Sequence, residues 1–315
     1  MTIRGGVVGF LAGAAAVVLC CAPAHDAQTL ISKLQSGDFE ERQEAAETID
    51  KLVAQGDYEV FVRGAMSPVK SNRPPSIVYL ARMRQPKARA ALRDLLRLEN
   101  RAMIPYNPIR MKPSSEESDS RILVANLIAE GGGDPEAIGT LLKGAEDQPP
   151  DVMQGTSFAI GALHDPRGLP FLAKAVHHSD IEVARAATQA VGTFHTPEAR
   201  EILQSLVGHP SQEVRSEVLS GLALQDDPAV VSVLEGIAGS DPVPELRSAA
   251  IVQLARFKDP APVPFLIEQL KGKDESNRQA ALDTLRLMSG QSFGPRPDLW
   301  SRWWQQNGGT RVARP

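Results

Sequence analysis

Apolar residues recur along the chain at helical spacing, and they do so in two kinds of segment. The first kind is exemplified by residues 197–208, PEAREILQSLVG, where Ile202, Leu203 and Leu206 share one helical face. The second kind follows the pattern Val-Arg-x-x-Ala-x-x-Ala-Leu, in which the first, fifth, eighth and ninth positions carry the apolar stripe. The two kinds alternate with a short polar turn between them. The pattern therefore predicts a succession of helix pairs.

The second pattern returns at a nearly fixed interval. Successive starts are 31, 31, 32 and 31 residues apart, at Val152, Val183, Val214, Leu246 and Asn277. Earlier copies begin at Glu41, Asn72 and Ser120. One helix pair cannot bury its apolar stripe alone, so repeated pairs are expected to stack on one another. The sequence thus predicts an all-α fold, an α-solenoid or superhelix of about eight helix pairs.

Prolines mark the same period and indicate where the first helix of each unit begins. They stand at Pro86, Pro135, Pro166, Pro197, Pro228 and Pro260. Proline suits the first turn of a helix, because the N–H that it lacks would have no intrahelical partner there. The preceding aspartates Asp165, Asp227 and Asp259 are expected to cap these helices.

Two segments depart from the period. The interval between Asn72 and Ser120 is 48 residues, and the surplus predicts a projecting loop at about 99–118, with an apolar half that contains Tyr106 and Ile109. The tail, 297–315, holds all three tryptophans, Trp300, Trp303 and Trp304. We expect a capping helix there that covers the open end of the solenoid, which spans 25–296.

The first 24 residues resemble an export signal. Arg4 precedes an apolar run, and Ala22-Pro23-Ala24 is a small-x-small cleavage site, after which the chain becomes polar. We therefore expect an exported protein of the periplasm or cell envelope whose mature chain does not insert into the membrane. The only cysteines, Cys20 and Cys21, lie in this segment, so a lipid anchor at either one is an alternative to simple cleavage, and retention of the apolar run as a membrane anchor is a minor one.

Composition narrows the classes of partner. The net charge of −4 and the isoelectric point near 5.9 provide no global positive field, which argues against binding to nucleic acid. If cleavage follows Ala24, the mature chain has no thiol to serve as a nucleophile or metal ligand. We expect a monomer without cofactor or metal that binds a protein or a peptide.

The period, the Asp-Pro turns and the Val-Arg-x-x-Ala helices resemble the HEAT-like repeats of the phycobilisome-lyase type. The resemblance spans most of 27–288, and the ending SGQSFGPRPDLWSRWW is similar to that of exported bacterial HEAT-repeat scaffold proteins. The resemblance implies an α-solenoid. It leaves the function open, because such repeats occur in bilin lyases, in metal-dependent deoxyhypusine hydroxylases and in scaffolds.

Histidines are the residues that could favour an enzyme. His164 and His195 are 31 residues apart, as are His178 and His209, but the two pairs fall in turns at opposite edges of the predicted solenoid. They are interpreted as turn residues that were repeated by duplication. The His-Glu dipeptides of deoxyhypusine hydroxylases are missing, and the Gly-Thr-Ser run that begins at Gly155 lies within a predicted repeat helix and not in a nucleophile turn. An enzyme of bilin-lyase-like or metal-dependent type is the alternative hypothesis, with no catalytic or metal residue to assign.

Arginine occupies the second motif position in six units, at Arg42, Arg73, Arg121, Arg215, Arg247 and Arg278. We interpret this series as a structural ladder that reaches acidic groups or carbonyls of the next unit. Acidic neighbours balance its charge, which disfavours a basic stripe for an anionic ligand.

The third, seventh and eleventh motif positions lie off the apolar stripe and are expected to form the concave surface of the solenoid. We call them the second-helix face. A fully solvated face would not need apolar residues, so a groove for a peptide or a partner helix is predicted. The candidate binding residues are Phe158, Arg185, Gln189, Leu224, Val252 and Arg256, with Tyr106 and Ile109 from the loop. The predicted function is a non-catalytic protein-interaction scaffold of a bacterial cell envelope.

Overall fold

The computed structural model of the chain describes residues 27–67, 72–83, 85–97, 120–146, 148–225, 227–257 and 261–307. In these ranges the chain forms seventeen α-helices and no β-strand, which confirms the all-α prediction. The signal segment and the loop residues Tyr106 and Ile109 lie outside the described residues. None of the described helices is long and apolar enough to cross a bilayer.

The helices alternate between two layers. The first helices of the eight pairs are α1 (Ala27–Leu34), α3 (Tyr58–Ala65), α5 (Pro86–Asp94), α7 (Ala137–Leu142), α9 (Leu169–Ala175), α11 (Pro197–Ser205), α13 (Ala229–Ser240) and α15 (Val263–Gln269). The second helices are α2 (Phe39–Gln55), α4 (Arg73–Arg82), α6 (Ser120–Glu130), α8 (Pro150–Leu163), α10 (Ile181–Gly192), α12 (Gln212–Ala223), α14 (Pro244–Leu254) and α16 (Glu275–Ser289). A last helix, α17 (Pro297–Asn307), follows the eighth pair.

Side chains at the turns start the helices as expected. Asp165 accepts a hydrogen bond from the Arg167 amide, and Asp227 accepts one from the Ala229 amide. Four second helices, α2, α10, α12 and α16, are capped in the same way, by Asp38, Asp180, Ser211 and Asp274. Such caps satisfy amides that have no partner inside the helix. Asp259 lies outside the described residues.

Each pair stacks on the next, and the buried apolar residues form one continuous core from Leu30 to Trp300. Small residues allow close approach between second helices. A Cβ atom added to Gly192 of α10 would lie 2.8 Å from the Cα of Gly221 in α12. One added to Gly161 of α8 would lie 3.1 Å from the Cα of Ala190. The backbones therefore touch at these points, which only glycine or alanine permits.

The stack loosens between the sixth and seventh pairs. Helices α8, α10 and α12 lie close to their neighbours, and so do α14 and α16, but α12 and α14 approach closely over only a short stretch. Gln253 takes the motif position that Ala159, Ala190 and Gly221 hold in the preceding units. Its side chain is too large for the backbone contact that these small residues allow.

Helix α17 packs against α15 at the end of the solenoid. Trp300 is fully buried, and its indole N–H donates to the Gly294 carbonyl at 2.9 Å. The rings of Phe293 and Trp303 meet it edge to face at 4.9 and 5.9 Å. Trp303 and Trp304 are half-buried against the same core. The tryptophans thus occupy a covering helix.

Candidate functional site

The second-helix face is open to solvent. No residue at the third, seventh or eleventh motif position is buried in any of the eight units, whereas Val183, Ala187, Ala190 and Val191, at the stripe positions of α10, are buried. The 3.6-residue period separates the two sets onto opposite sides of each helix. The face therefore lies along the second-helix layer of the solenoid.

Large apolar side chains are exposed on this face in the last three units. Leu224 is 48%, Val252 53% and Leu287 63% exposed. Among the described residues, the other two exposed large apolar side chains are Phe39 and Ile181, each the first residue of a second helix. Exposed apolar surface is therefore concentrated at one end of the second-helix face.

Leu287 is the residue of this group that the sequence-based choice of candidates omits. It occupies the eleventh motif position of the eighth unit, as Leu224 does in the sixth. Extending the same frame by one unit would have identified it. The repeat spacing alone was therefore sufficient to place Leu287 on the second-helix face.

The remaining candidates differ in their surroundings. Phe158 is half-buried and Gln189 is exposed. Arg185 is held by two carboxylates, at 3.0 Å from Glu182 in its own helix and 3.2 Å from Glu217 in the next unit. The hydrogen bond with Glu182 raises the pKa of the Arg185 guanidinium. This arginine therefore links two units and remains partly accessible from the same face.

Arg256 is exposed at the eleventh motif position of the seventh unit. It makes no ion pair or side-chain hydrogen bond with any residue in the described ranges. It lies one helical turn beyond Val252, which places a free cation beside an exposed apolar side chain.

The arginine series has a regular structural role, but the prediction of its partners was only partly correct. Five of the six donate to the carbonyl six residues earlier, in their own unit, at 2.6 to 2.8 Å: Arg42 to Ser36, Arg73 to Ser67, Arg215 to His209, Arg247 to Asp241 and Arg278 to Gly272. These carbonyls lie in the turn after the first helix. The arginine thus joins the two helices of one pair.

Two of these arginines also reach the next unit, as expected. Arg215 forms a two-pronged ion pair with Asp241, with contacts of 2.8 and 3.2 Å, and both side chains are almost fully buried. Arg247 pairs with Asp274. The Arg215–Asp241 pair bridges the sixth and seventh units, where α12 and α14 have lost their close backbone contact.

The histidines have repeated structural roles. The Nδ1 atom of His178 accepts a hydrogen bond from the Asp180 amide at 2.9 Å, and that of His209 accepts one from the Ser211 amide at 3.1 Å. His164 adopts a left-handed conformation at the end of α8, and His195 is exposed. No group of three or more His, Cys, Asp or Glu residues in the described part of the chain could hold a metal ion.

The first-helix layer carries a groove of its own. It is lined by α3 and α5, with an apolar floor that includes Val62, Met66 and Leu95 and charged residues such as Glu59 and Lys87. It is formed by first helices, so it lies on the other side of the stack from the second-helix face.

Comparison with known proteins agrees with this architecture. Residues 169–255, which run from α9 to the end of α14, match the sequence profile of HEAT repeats. Among curated proteins, none matches the chain. The helix pairs on either side of this segment also stack on their neighbours, so the matched HEAT repeats form part of a longer α-solenoid.

The chain is also similar to several solved structures, with low sequence identity and low TM-scores. YibA of Escherichia coli is 17% identical, with 82% of this chain and 92% of YibA covered and a TM-score of 0.44. Human deoxyhypusine hydroxylase is 16% identical, with 76% and 98% covered and a TM-score of 0.31. The complex of CpcE and CpcF of phycocyanin lyase from Nostoc sp. PCC7120 is 18% identical, with 96% and 99% covered and a TM-score of 0.34.

Proposed function

We propose that this HEAT-like repeat protein is a non-catalytic scaffold that binds a protein or peptide partner along its second-helix face. The observation that carries the proposal is the exposure of Leu224, Val252 and Leu287 on that face. Each would gain free energy on burial, about 25 cal/mol for each Å² of apolar surface removed from water.

The shape of the molecule supports the same role. Stacked helix pairs produce a long, continuous surface that can contact an extended chain or a helix over several units. Phe158 and Gln189 continue the face into the fourth and fifth units. Aromatic and arginine side chains dominate the energies of many interfaces, so Phe158 and Arg185 are the expected contributors in this part of the face.

We further propose that the scaffold acts in the cell envelope after export. Arg4, the apolar run and Ala22-Pro23-Ala24 support cleavage after Ala24. Intact-mass analysis of protein recovered from the envelope should give a chain that begins at His25. A diacylated Cys20 or Cys21 at the start would replace simple cleavage with lipid anchoring.

Capture of a partner tests the binding role. The full chain and the triple variant Phe158→Ala, Arg185→Ala, Val252→Ala would be used to capture proteins from an envelope extract of the source cell. We expect the variant to lose the partner that the unchanged chain retains. These residues lie off the buried stripe, and the ion pairs of Arg185 are partly exposed and worth at most about 1 kcal/mol, so the melting temperature should change little.

The control variant carries the same number of alanines on the first helices, at the exposed residues Lys174, Glu201 and Ser232. It should capture the partner normally. Equal capture by both variants would exclude the second-helix face as the binding surface.

A further inference from the structure

We propose that the last three units recognise an extended peptide segment in which two apolar side chains flank a carboxylate, a specificity that presupposes the proposed binding role. The eleventh motif position reads Leu224, Arg256 and Leu287 in these units. All three side chains are exposed. A cation thus lies between two apolar residues in one row along the solenoid.

Arg256 follows the end of α14 and Leu287 lies on α16, and equivalent positions on such closely stacked helices are about 8–10 Å apart. A peptide in the polyproline II conformation advances about 3.1 Å per residue and has three residues per turn, so every third side chain lies on the same side of it. The segment that fits therefore carries an apolar residue three positions from the acidic one. Its second apolar residue lies on the other side of the acidic residue, at a greater distance that matches the looser junction between α12 and α14.

The loosened junction between α12 and α14 keeps part of this row accessible. Leu224 follows the end of α12 and Val252 lies on α14, so the two residues border the junction from opposite sides. Gln253, in place of a small residue, prevents the close backbone contact that would narrow this opening. An apolar side chain of the partner can therefore contact both Leu224 and Val252.

A free guanidinium on this face favours an acidic partner. Five other arginines of the second helices have a carboxylate partner, including Arg185 with Glu182, Arg247 with Asp274 and Arg286 with Asp283. Arg256 has none among the described residues. The guanidinium can accept a carboxylate with two parallel hydrogen bonds, and the apolar neighbours strengthen such a pair by excluding water.

A phage-displayed library of random dodecapeptides supplies a defined probe. It would be selected on the immobilised full chain, on the Arg256→Glu variant and on the triple variant Leu224→Ser, Val252→Ser, Leu287→Ser. We expect the unchanged chain to enrich peptides in which apolar residues lie on both sides of an Asp or Glu, one of them three residues away from it. The Arg256→Glu variant should instead enrich Lys or Arg at the central position.

Affinities of a synthetic peptide of the enriched sequence complete the test. We expect binding to weaken at least about tenfold for Arg256→Glu and for the triple serine variant, which is the loss typical of an interface anchor. The control Lys273→Glu makes a matching reversal of charge at an exposed residue in the turn before α16, off the second-helix face, and should change the affinity less than threefold. All variants must show the same melting temperature as the unchanged chain.

Three results would overturn the inference. These are the failure to enrich any peptide, enrichment without an acidic preference, and an unchanged preference in the Arg256→Glu variant. None of them bears on whether Phe158, Arg185 and Val252 are needed to capture a protein from the envelope extract. Failure of the peptide specificity and failure of the scaffold role are therefore distinguishable.

Discussion

At the residue scale, one arginine position organises the turns of the solenoid. The sequence predicted a ladder between units, but five arginines donate first to a carbonyl in their own unit. Helical side chains tilt toward the N-terminus of their helix, so an arginine in the first turn points back at the end of the preceding helix. Spacing alone identifies the series but not the direction of its side chains.

The Arg215–Asp241 pair is expected to be the most sensitive ion pair between units. Its side chains are 8% and 3% exposed, and Arg215→Met would leave a buried carboxylate without its partner. Loss of one member of a buried pair typically costs about 3–5 kcal/mol. Urea denaturation should show a loss of this size, and Arg278→Met, which removes a more exposed arginine, should cost far less. Equal losses would contradict a special role for the buried pair.

Asp274 provides a test by pH. The hydrogen bond from Arg247 lowers the pKa of the Asp274 carboxyl below its usual value. A lowered pKa means that the carboxylate stabilises the fold above its unfolded-state pKa, and that this contribution is lost as the pH falls through the folded-state pKa. Asp274→Asn keeps a side-chain cap, so it should destabilise the protein at neutral pH, and the difference in stability should shrink as the pH falls below the unfolded-state pKa of the carboxyl. A difference that does not change with pH would exclude the charge as its cause.

At the element scale, small residues determine how closely the second helices pack. A Cβ atom at Gly221 would meet the Gly192 backbone at 2.9 Å, so Gly221→Ala should push α10 and α12 apart and cost about 1–3 kcal/mol. Gly236 in α13 is the matched control, because a Cβ atom there would have no heavy atom within 4 Å. Gly236→Ala should stabilise the protein by up to about 1 kcal/mol. Thermal melts of both variants should move in opposite directions.

The terminal helix was predicted from its tryptophans, and one of them is expected to dominate its attachment. Trp300 is fully buried, whereas Trp304 is only half-buried. Replacing a buried tryptophan by alanine costs about 3–5 kcal/mol, so Trp300→Ala should lower the melting temperature much more than Trp304→Ala. Removal of residues 297–315 should expose α15 and promote aggregation. An unchanged melt after truncation would show that α17 does not cap the solenoid.

At the scale of the whole molecule, the repeat period was sufficient to predict the eight pairs and the open second-helix face. It did not predict the loosened junction. The 32-residue interval before Leu246 and the presence of Gln253 indicate a separation of α12 and α14 only when the positions of the neighbouring helices are known. The exposure of Leu224 and Val252 depends in turn on how α12 and α14 pack. The sequence therefore indicated the candidate surface, and the structure identified its apolar end.

Site-specific photo-crosslinking tests the central claim, that a partner binds the second-helix face. A benzophenone amino acid would be placed at Gln189 or Ser220 on this face, and at Lys87 or Glu201 on first helices, all of which are exposed. Irradiation in intact source cells should give a crosslinked adduct of one defined mass from Gln189 and Ser220 and none from Lys87 and Glu201. Adducts from the first-helix positions alone, or from none of the four, would contradict the claim.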